Sequence, residues 1–211
     1  MSEFINTIDV LGDDIVLASI VDKSITEFKD NELTHIGGYA LAQCKALTIV
    51  DLPSVTTLGE CALYECSGIT SINLPALTTL GENSIRGMIL LTSLCLPALT
   101  GIPSYSFFGS NALKTADFWS VTSIKQYAFT SCSSLTALIL RSETMCSLAN
   151  TNAFTSSSIK NGGTGYIYVP RALVDSYKSA TNWSTYATQF RALEDYTVDG
   201  TITGELDSTK I

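Results

Sequence analysis

Histidine is nearly absent from this chain: among 211 residues, His35 is the only one. A catalytic triad or a histidine-ligated metal would have to use it. It falls in a turn column with Thr57, Thr79, Gly101 and Ser123, where it reads as a solvated turn residue. Charge is also sparse. Only 15% of residues are charged, and the 20 acidic against 12 basic side chains leave a formal net charge of −8. With no basic run to offset that sign, the chain repels a phosphate backbone, so nucleic acid is not an expected partner. No apolar run approaches spanning length, so no membrane span is expected. There is no phosphate-binding loop: "NGGTGYIYV" (161–169) lacks both the lysine and the following helix that phosphate cradling needs. Asp and Glu are scattered, with no pair placed for acid–base work. These absences predict a non-enzymatic chain with no catalytic, cofactor-binding or metal-binding residues.

Apolar residues are plentiful at 45%, which excludes a disordered tail protein. The first residues, "MSEFINTIDVLGDDIVLASIVDKS", have no basic start, and acids interrupt their apolar stretches. That predicts a cytoplasmic or virion-associated protein unless an export signal has been removed, with the cell surface as the alternative.

The strongest pattern is internal repetition. Pro53, Pro75 and Pro97 are spaced by 22, and the same step reaches Trp119 and Arg141. Apolar columns run in parallel with that ruler. One holds Leu47, Ile69, Leu91, Leu113 and Leu135; another holds Leu52, Leu74, Leu96, Phe118 and Leu140. A period in the twenties with this spacing indicates a leucine-rich solenoid. Strands are expected near 25–30, 47–52, 69–74, 91–96, 113–118, 135–140 and 165–169. Each is too short to bury its apolar face alone, and stacking in parallel closes each core against the next. On the return side, Gly37, Gly59 and Gly81 precede a small-large column pair such as Ala40–Leu41 and Ala62–Leu63. A single helical turn, α or 3₁₀, is expected there. Cys44, Cys66 and Cys132 share a column with Met88 and Ser110, which makes them small core side chains with reduced thiols. Cys61 and Cys66 resemble a metal pair, but no second pair completes a site.

"TSIKQYAFTSCSSLTALIL" (122–140) and "THIGGYALAQCKALTIVDLP" (34–53) resemble the BspA-like leucine-rich repeat, whose unit reads roughly I-x-x-x-A-F-x-x-C-x-x-L-x-x-I-x-L-P. The resemblance covers about residues 25 to 170. It implies an α/β fold: a right-handed leucine-rich repeat solenoid with a parallel β-sheet on the concave face and short helical turns opposite. It also implies bacterial surface or host-interaction roles, and some similar short proteins look prophage-borne.

The expected organisation is an N-terminal capping segment (1–24), the solenoid (25–170), a C-terminal helical cap (171–195) and a polar tail (196–211). In the cap, Pro170 is placed at the first helical position and Asn182 as an N-cap. Trp183, Tyr186, Phe190 and Leu193 fall on one helical face, covering the open end of the core or, alternatively, offering an aromatic ligand platform.

The strand face left outside the apolar columns carries Lys29, Asp51, Asn73, Cys95, Asp117 and Ile139, beside Glu27, Ile49, Ser71, Ser93, Thr115 and Ala137. Trp119 breaks the proline column next to Asp117 and Thr115. The functional expectation is a non-catalytic module that binds a protein or glycan partner on this concave face, through Trp119, Asp117, Asn73, Asp51 and Thr115. The alternative is a structural or assembly component of a virion or prophage-encoded particle; a carbohydrate-handling enzyme stands behind both.

Overall fold

A computed structural model describes residues 23–160, 162–198 and 201–202. The expected N-terminal capping segment lies outside the described residues except for Lys23 and Ser24, and so does most of the expected tail.

Each turn of the chain, here called a coil, contributes one short parallel strand to a main sheet. In order these are β1 (Glu27–Lys29), β3 (Ile49–Asp51), β5 (Ser71–Asn73), β7 (Ser93–Leu96), β8 (Thr115–Phe118), β10 (Ala137–Leu140), β12 (Tyr166–Val169) and β13 (Phe190–Ala192). The ladder register follows the sequence period: Val50 lies opposite Phe28 and Ile72, and Ala116 opposite Leu94 and Leu138. Strands of three or four residues have no independent stability. They form because the apolar columns stack into one continuous core that contains Leu52, Leu74, Leu96, Phe118 and Leu140.

A second, lateral set of strands follows five of the main strands: β2 (His35–Ile36), β4 (Thr57–Leu58), β6 (Thr79–Leu80), β9 (Ser123–Ile124) and β11 (Ser147–Leu148). Here threonines form an outer ladder. The hydroxyls of Thr56, Thr78, Thr100 and Thr122 each donate to the backbone carbonyl of the residue 22 positions earlier.

The return side differs from the expected helical turn. Among the described residues, only Thr151–Phe154 forms a 3₁₀ turn there. In the earlier coils, left-handed residues recur at two columns: Tyr39, Cys61, Asn83, Tyr105 and Tyr127 in one, and Gln43, Glu65, Gly87, Gly109 and Ser131 in the other. These reversals turn alternate N–H groups toward the next coil. Tyr39, Leu41 and Gln43 donate to the carbonyls of Glu60, Ala62 and Tyr64, and Cys61, Leu63 and Glu65 donate to those of Glu82, Ser84 and Arg86. A left-handed non-glycine residue costs on the order of 1–3 kcal/mol. The inter-coil rungs offset that cost by satisfying backbone groups that a lone helical turn would leave orphaned.

Both sheets part between coil 3 and coil 4. The main sheet divides into β1-β3-β5 and β7-β8-β10-β12-β13, and the lateral ladder stops at β6 before resuming with the Ile102–Ile124 bridge. Backbone rungs across this seam run from Thr100 N to Thr78 O, Asn83 N to Ser104 O and Gly87 N to Phe108 O. The apolar core is continuous beneath it.

The C-terminal cover is built differently from a helical pair. After Pro170 comes a 3₁₀ turn (Arg171–Leu173), then α1 (Val174–Ser179), a kinked 3₁₀ segment (Trp183–Gln189), and then β13, which extends the main sheet. Pro170 is the N-cap rather than the first helical residue. Asn182 stands at an N-cap position without capping; its side-chain amide instead donates to the carbonyls of Leu148 and Ala149. Trp183 and Tyr186 do close the core, but Phe190 does so from a strand, and Leu193 packs on the other side of the sheet. A run of rings links Phe107, Phe129, Phe154 and Trp183, with Phe129 and Phe154 stacked at 5.5 Å. The polar tips are anchored too: Trp183 Nε1 donates to Cys146 O at 2.7 Å, and Cys146 N donates to the Tyr177 hydroxyl at 2.7 Å. With Trp183 and Tyr186 buried to 1% and 5% exposure, neither is available as a ligand platform.

Candidate functional site

Strand alternation points one side chain of each pair outward from the main sheet. Over coils 1 to 5 this outer surface is open or half-open, carrying Glu27 and Lys29, Ile49 and Asp51, Ser71 and Asn73, Ser93 and Cys95, then Thr115 and Asp117. It is not a uniformly acidic face. Lys29 pairs with Glu27 at 2.8 Å, and that contact raises the lysine's pKa. Asn73 donates to Asp51 Oδ1 at 2.7 Å, tying coil 2 to coil 3.

Ile139 and Ala137, expected on the open face, are buried at 1% and 5% exposure. Leu193 closes over them, with Tyr168 and Tyr196 packed alongside and their rings 4.6 Å apart. The chain's own end therefore occupies the face at coil 6 and beyond.

Trp119 and its neighbours sit beside that covered zone. Asp117 is held by a two-pronged bond from Arg141, with Nε at 2.8 Å from Oδ1 and Nη2 at 2.9 Å from Oδ2. The two side chains are only 16% and 11% exposed, so this is a largely desolvated pair. The same guanidinium lies over the Trp119 ring at 5.6 Å. Trp119 is half-buried, and its indole N–H has no acceptor among the described residues. The structure thus gathers Trp119 and Asp117, with Thr115 at the start of the same strand. Asp51 and Asn73 form a separate pair on the other side of the seam. Arg141 was missed as a site residue, although its place in the proline column, one step beyond Trp119, was visible.

The sequence matches the family described as the BspA type Leucine rich repeat region over residues 21–136 and 76–162, with 6 copies. The chain belongs to the BspA-type leucine-rich repeat family. Among solved structures it is similar to a leucine-rich repeat protein from Bacteroides ovatus, at 14% identity and a TM-score of 0.37, covering 69% of this chain and 55% of that one. It is also similar to a leucine rich cell surface protein from Faecalibacterium prausnitzii, at 15% identity and a TM-score of 0.26, covering 78% of this chain and 63% of that one. This BspA-type chain therefore spans less than two thirds of the length of either. A search of curated proteins returns no match. Among the described residues, no helix is long and apolar enough to cross a membrane.

In this BspA-type array the cysteine column is core, as its sharing with Met88 implied: Cys44, Cys66, Cys132 and Met88 are all fully buried. Cys66 Sγ donates to Leu41 O and Cys132 Sγ to Phe107 O. Hydrogen bonding with Cys44, followed by burial, pushes the Cys66 thiol up. Burial pushes Cys132 and Cys146 up to about 12. An acidic group held neutral in the fold stabilises it fully below its unfolded pKa. That stability is lost as pH rises from about 9, where unfolded thiols ionise, through about 12. Melting temperature is therefore expected to fall steadily above pH 9. Native alkylation at neutral pH is expected to modify exposed Cys95 quickly and the buried five (Cys44, Cys61, Cys66, Cys132 and Cys146) only on denaturation. A Cys44–Cys66 disulfide in unreduced protein, seen by mass spectrometry, would contradict this.

Proposed function

We propose that this chain is a binding module that holds a protein partner on the outer face of its main sheet, with Trp119 as anchor. The observation that carries this is the open sheet face ending at a preorganised Trp119–Arg141–Asp117 cluster. Repeat arrays offer such extended surfaces without further machinery. A Trp ring gives large contact area at little entropic cost, and central anchors are worth about 2 kcal/mol or more. Arg141 holds the ring from one side, and the carboxylate of Asp117 holds Arg141, so little ordering remains to be done on binding. The indole N–H is itself buried, so it is the face and edge of the ring, not the N–H, that a partner meets. Asp51, Asn73 and Thr115 contribute polarity along the face, and Asp51 contributes an on-rate that weakens as salt rises.

With a partner captured on the immobilised chain, Trp119→Ala is expected to weaken binding at least tenfold, an anchor's worth of energy. Its melting temperature is expected to stay close to the parent's, because the ring is half-buried and lies outside the main core. Normal binding by Trp119→Ala, with binding lost instead on substitution of Gln43 or Tyr39 on the turn side, would refute the proposal. Unfolding would show that Trp119 serves the core.

A further inference from the structure

The seam between coils 3 and 4 has a specific cause, and the opening it leaves has a specific chemistry. In the tight corner after the lateral strands, coils 1 to 3 place Gly37, Gly59 and Gly81. The coils are so close there that a Cβ on Gly59 would lie 2.5 Å from Gly38 N, and one on Gly81 would lie 2.4 Å from Glu60 N. The next two members of that column are Pro103 and Lys125. A pyrrolidine ring does not fit such a gap, and proline has no N–H to donate. Gly59 N donates to Ile36 O, Gly81 N to Leu58 O and Lys125 N to Ile102 O, all at 2.8–2.9 Å, whereas the corresponding donor to Leu80 O would be Pro103. The reciprocal rung is missing as well. Ile102 N donates to Ser123 O at 2.8 Å, but no backbone bond joins Leu80 N to Gly101 O.

The coils consequently part between the Thr78–Thr100 and Asn83–Ser104 rungs. They enclose a solvent-facing cavity of about 350 Å³. That is at the small end of ligand pockets, which run about 300–1,000 Å³. The half-exposed Pro103 ring forms its apolar part above the buried Leu80 and Ile102, Glu82 and Lys125 bring one carboxylate and one ammonium, and Thr78 and Thr100 bring hydroxyl oxygens. Those two hydroxyls spend their hydrogens on the carbonyls of Thr56 and Thr78, so they turn lone pairs outward. Leu80, whose N–H and C=O face coil 4, adds an unused backbone donor and acceptor.

We propose that this cavity is a saccharide-binding site that takes a single sugar unit. Donors and acceptors are interleaved around an apolar patch, and a hydroxyl is the ligand group that donates and accepts at one atom. A ring carrying several hydroxyls satisfies the Leu80 backbone, Glu82, Lys125 and the threonine oxygens together, while its C–H face rests on the Pro103 ring. The site lies on the lateral face and is independent of the partner-binding reading of the main sheet.

The test uses the full chain, ¹⁵N-labelled, titrated to about 10 mM with each of a panel of free sugars: neutral hexoses, N-acetylhexosamines, uronic acids and sialic acid. At least one sugar is expected to shift the amides of residues 79–82, 101–104 and 123–125 in a saturable manner. Glu82→Gln is expected to weaken that binding about tenfold. Pro103→Gly restores the glycine column and the missing donor; it is expected to abolish binding while the amide at 103 becomes protected from exchange to the level of the hydrogen-bonded Gly59 and Gly81 amides measured alongside it. A flat response to the whole panel would overturn the proposal. So would shifts confined to another face, or undiminished binding by a Pro103→Gly chain whose 103 amide is protected. Because Pro103→Gly leaves Trp119 untouched, its effect separates this site from the main-sheet face.

Discussion

Leu74→Asp is expected to unfold at least the central coils, with loss of the cooperative thermal transition. Leu74 is 1% exposed and shares one core with Leu52 and Leu96 of the flanking coils. Truncating a buried leucine costs about 2–5 kcal/mol. Aspartate adds a carboxylate to a core with no partner to receive it, and an unpaired buried charge costs several kcal/mol more. The sum approaches the whole stability of an ordinary domain, about 5–15 kcal/mol. The seam gives this result a spatial character. Coils 1 to 3 are tied to coil 4 by few backbone rungs, so the damage is expected to be worst in coils 2 and 3 and to spare the C-terminal aromatic end longest. Circular dichroism melting and near-ultraviolet signal from Trp183 report the two parts. A variant that melts like its parent would overturn the register of the apolar columns.

Gly81→Ala has the second-largest expected effect, although it adds only a methyl group. The new Cβ would lie 2.4 Å from Glu60 N and 2.5 Å from Gly59 C, both backbone atoms that no rotamer change can move aside. Coils 2 and 3 must separate, which strains the rungs Gly81 N to Leu58 O and Cys61 N to Glu82 O. Overpacking of this kind costs about 1–3 kcal/mol, and each weakened hydrogen bond adds about 0.5–1.5 kcal/mol. A fall in melting temperature of about 5–10 °C is expected for a chain of this size. Gly101→Ala is the control: its Cβ would meet the rotatable hydroxyl of Ser123 at 3.2 Å, and little change is expected. Equal effects at both positions would show that coil spacing does not govern stability.

The interior of this protein was legible because the repeat returns each column to the same environment every 22 residues. Leu52, Leu74, Leu96, Phe118 and Leu140 occupy the core that their column implied. The return side was less legible. Its left-handed positions are filled mostly by Tyr, Gln, Cys and Glu, which announce nothing, and only Gly87, Gly109 and Asn83 carry the residue types that favour that region. Burial of Ile139 and Ala137 was illegible for another reason. It depends on Leu193, more than 50 positions away, which periodicity cannot connect to them. Phe190 was read on a helix because its spacing from Trp183 and Tyr186 fits one turn pattern, yet pairing with β12 drew it into a strand. At the candidate site, Trp119 and Asp117 were found from a broken column, while Arg141 was passed over as mere loss of proline. Pro103 was passed over too, although it ends a run of glycines at 22-residue spacing and removes the N–H that Gly59, Gly81 and Lys125 donate from that column.

The account's central claim is that partner binding belongs to the outer face of the main sheet. The most direct measurement places a photo-cross-linking side chain at one exposed position per face in the full chain: Asn73 on the main sheet, Thr78 on the lateral ladder and Gln43 on the turn side. Each variant is illuminated in the presence of the captured partner. The account predicts a specific adduct from Asn73 that disappears when Trp119→Ala is added, and none from Gln43. An adduct formed from Gln43 and absent from Asn73 would contradict it.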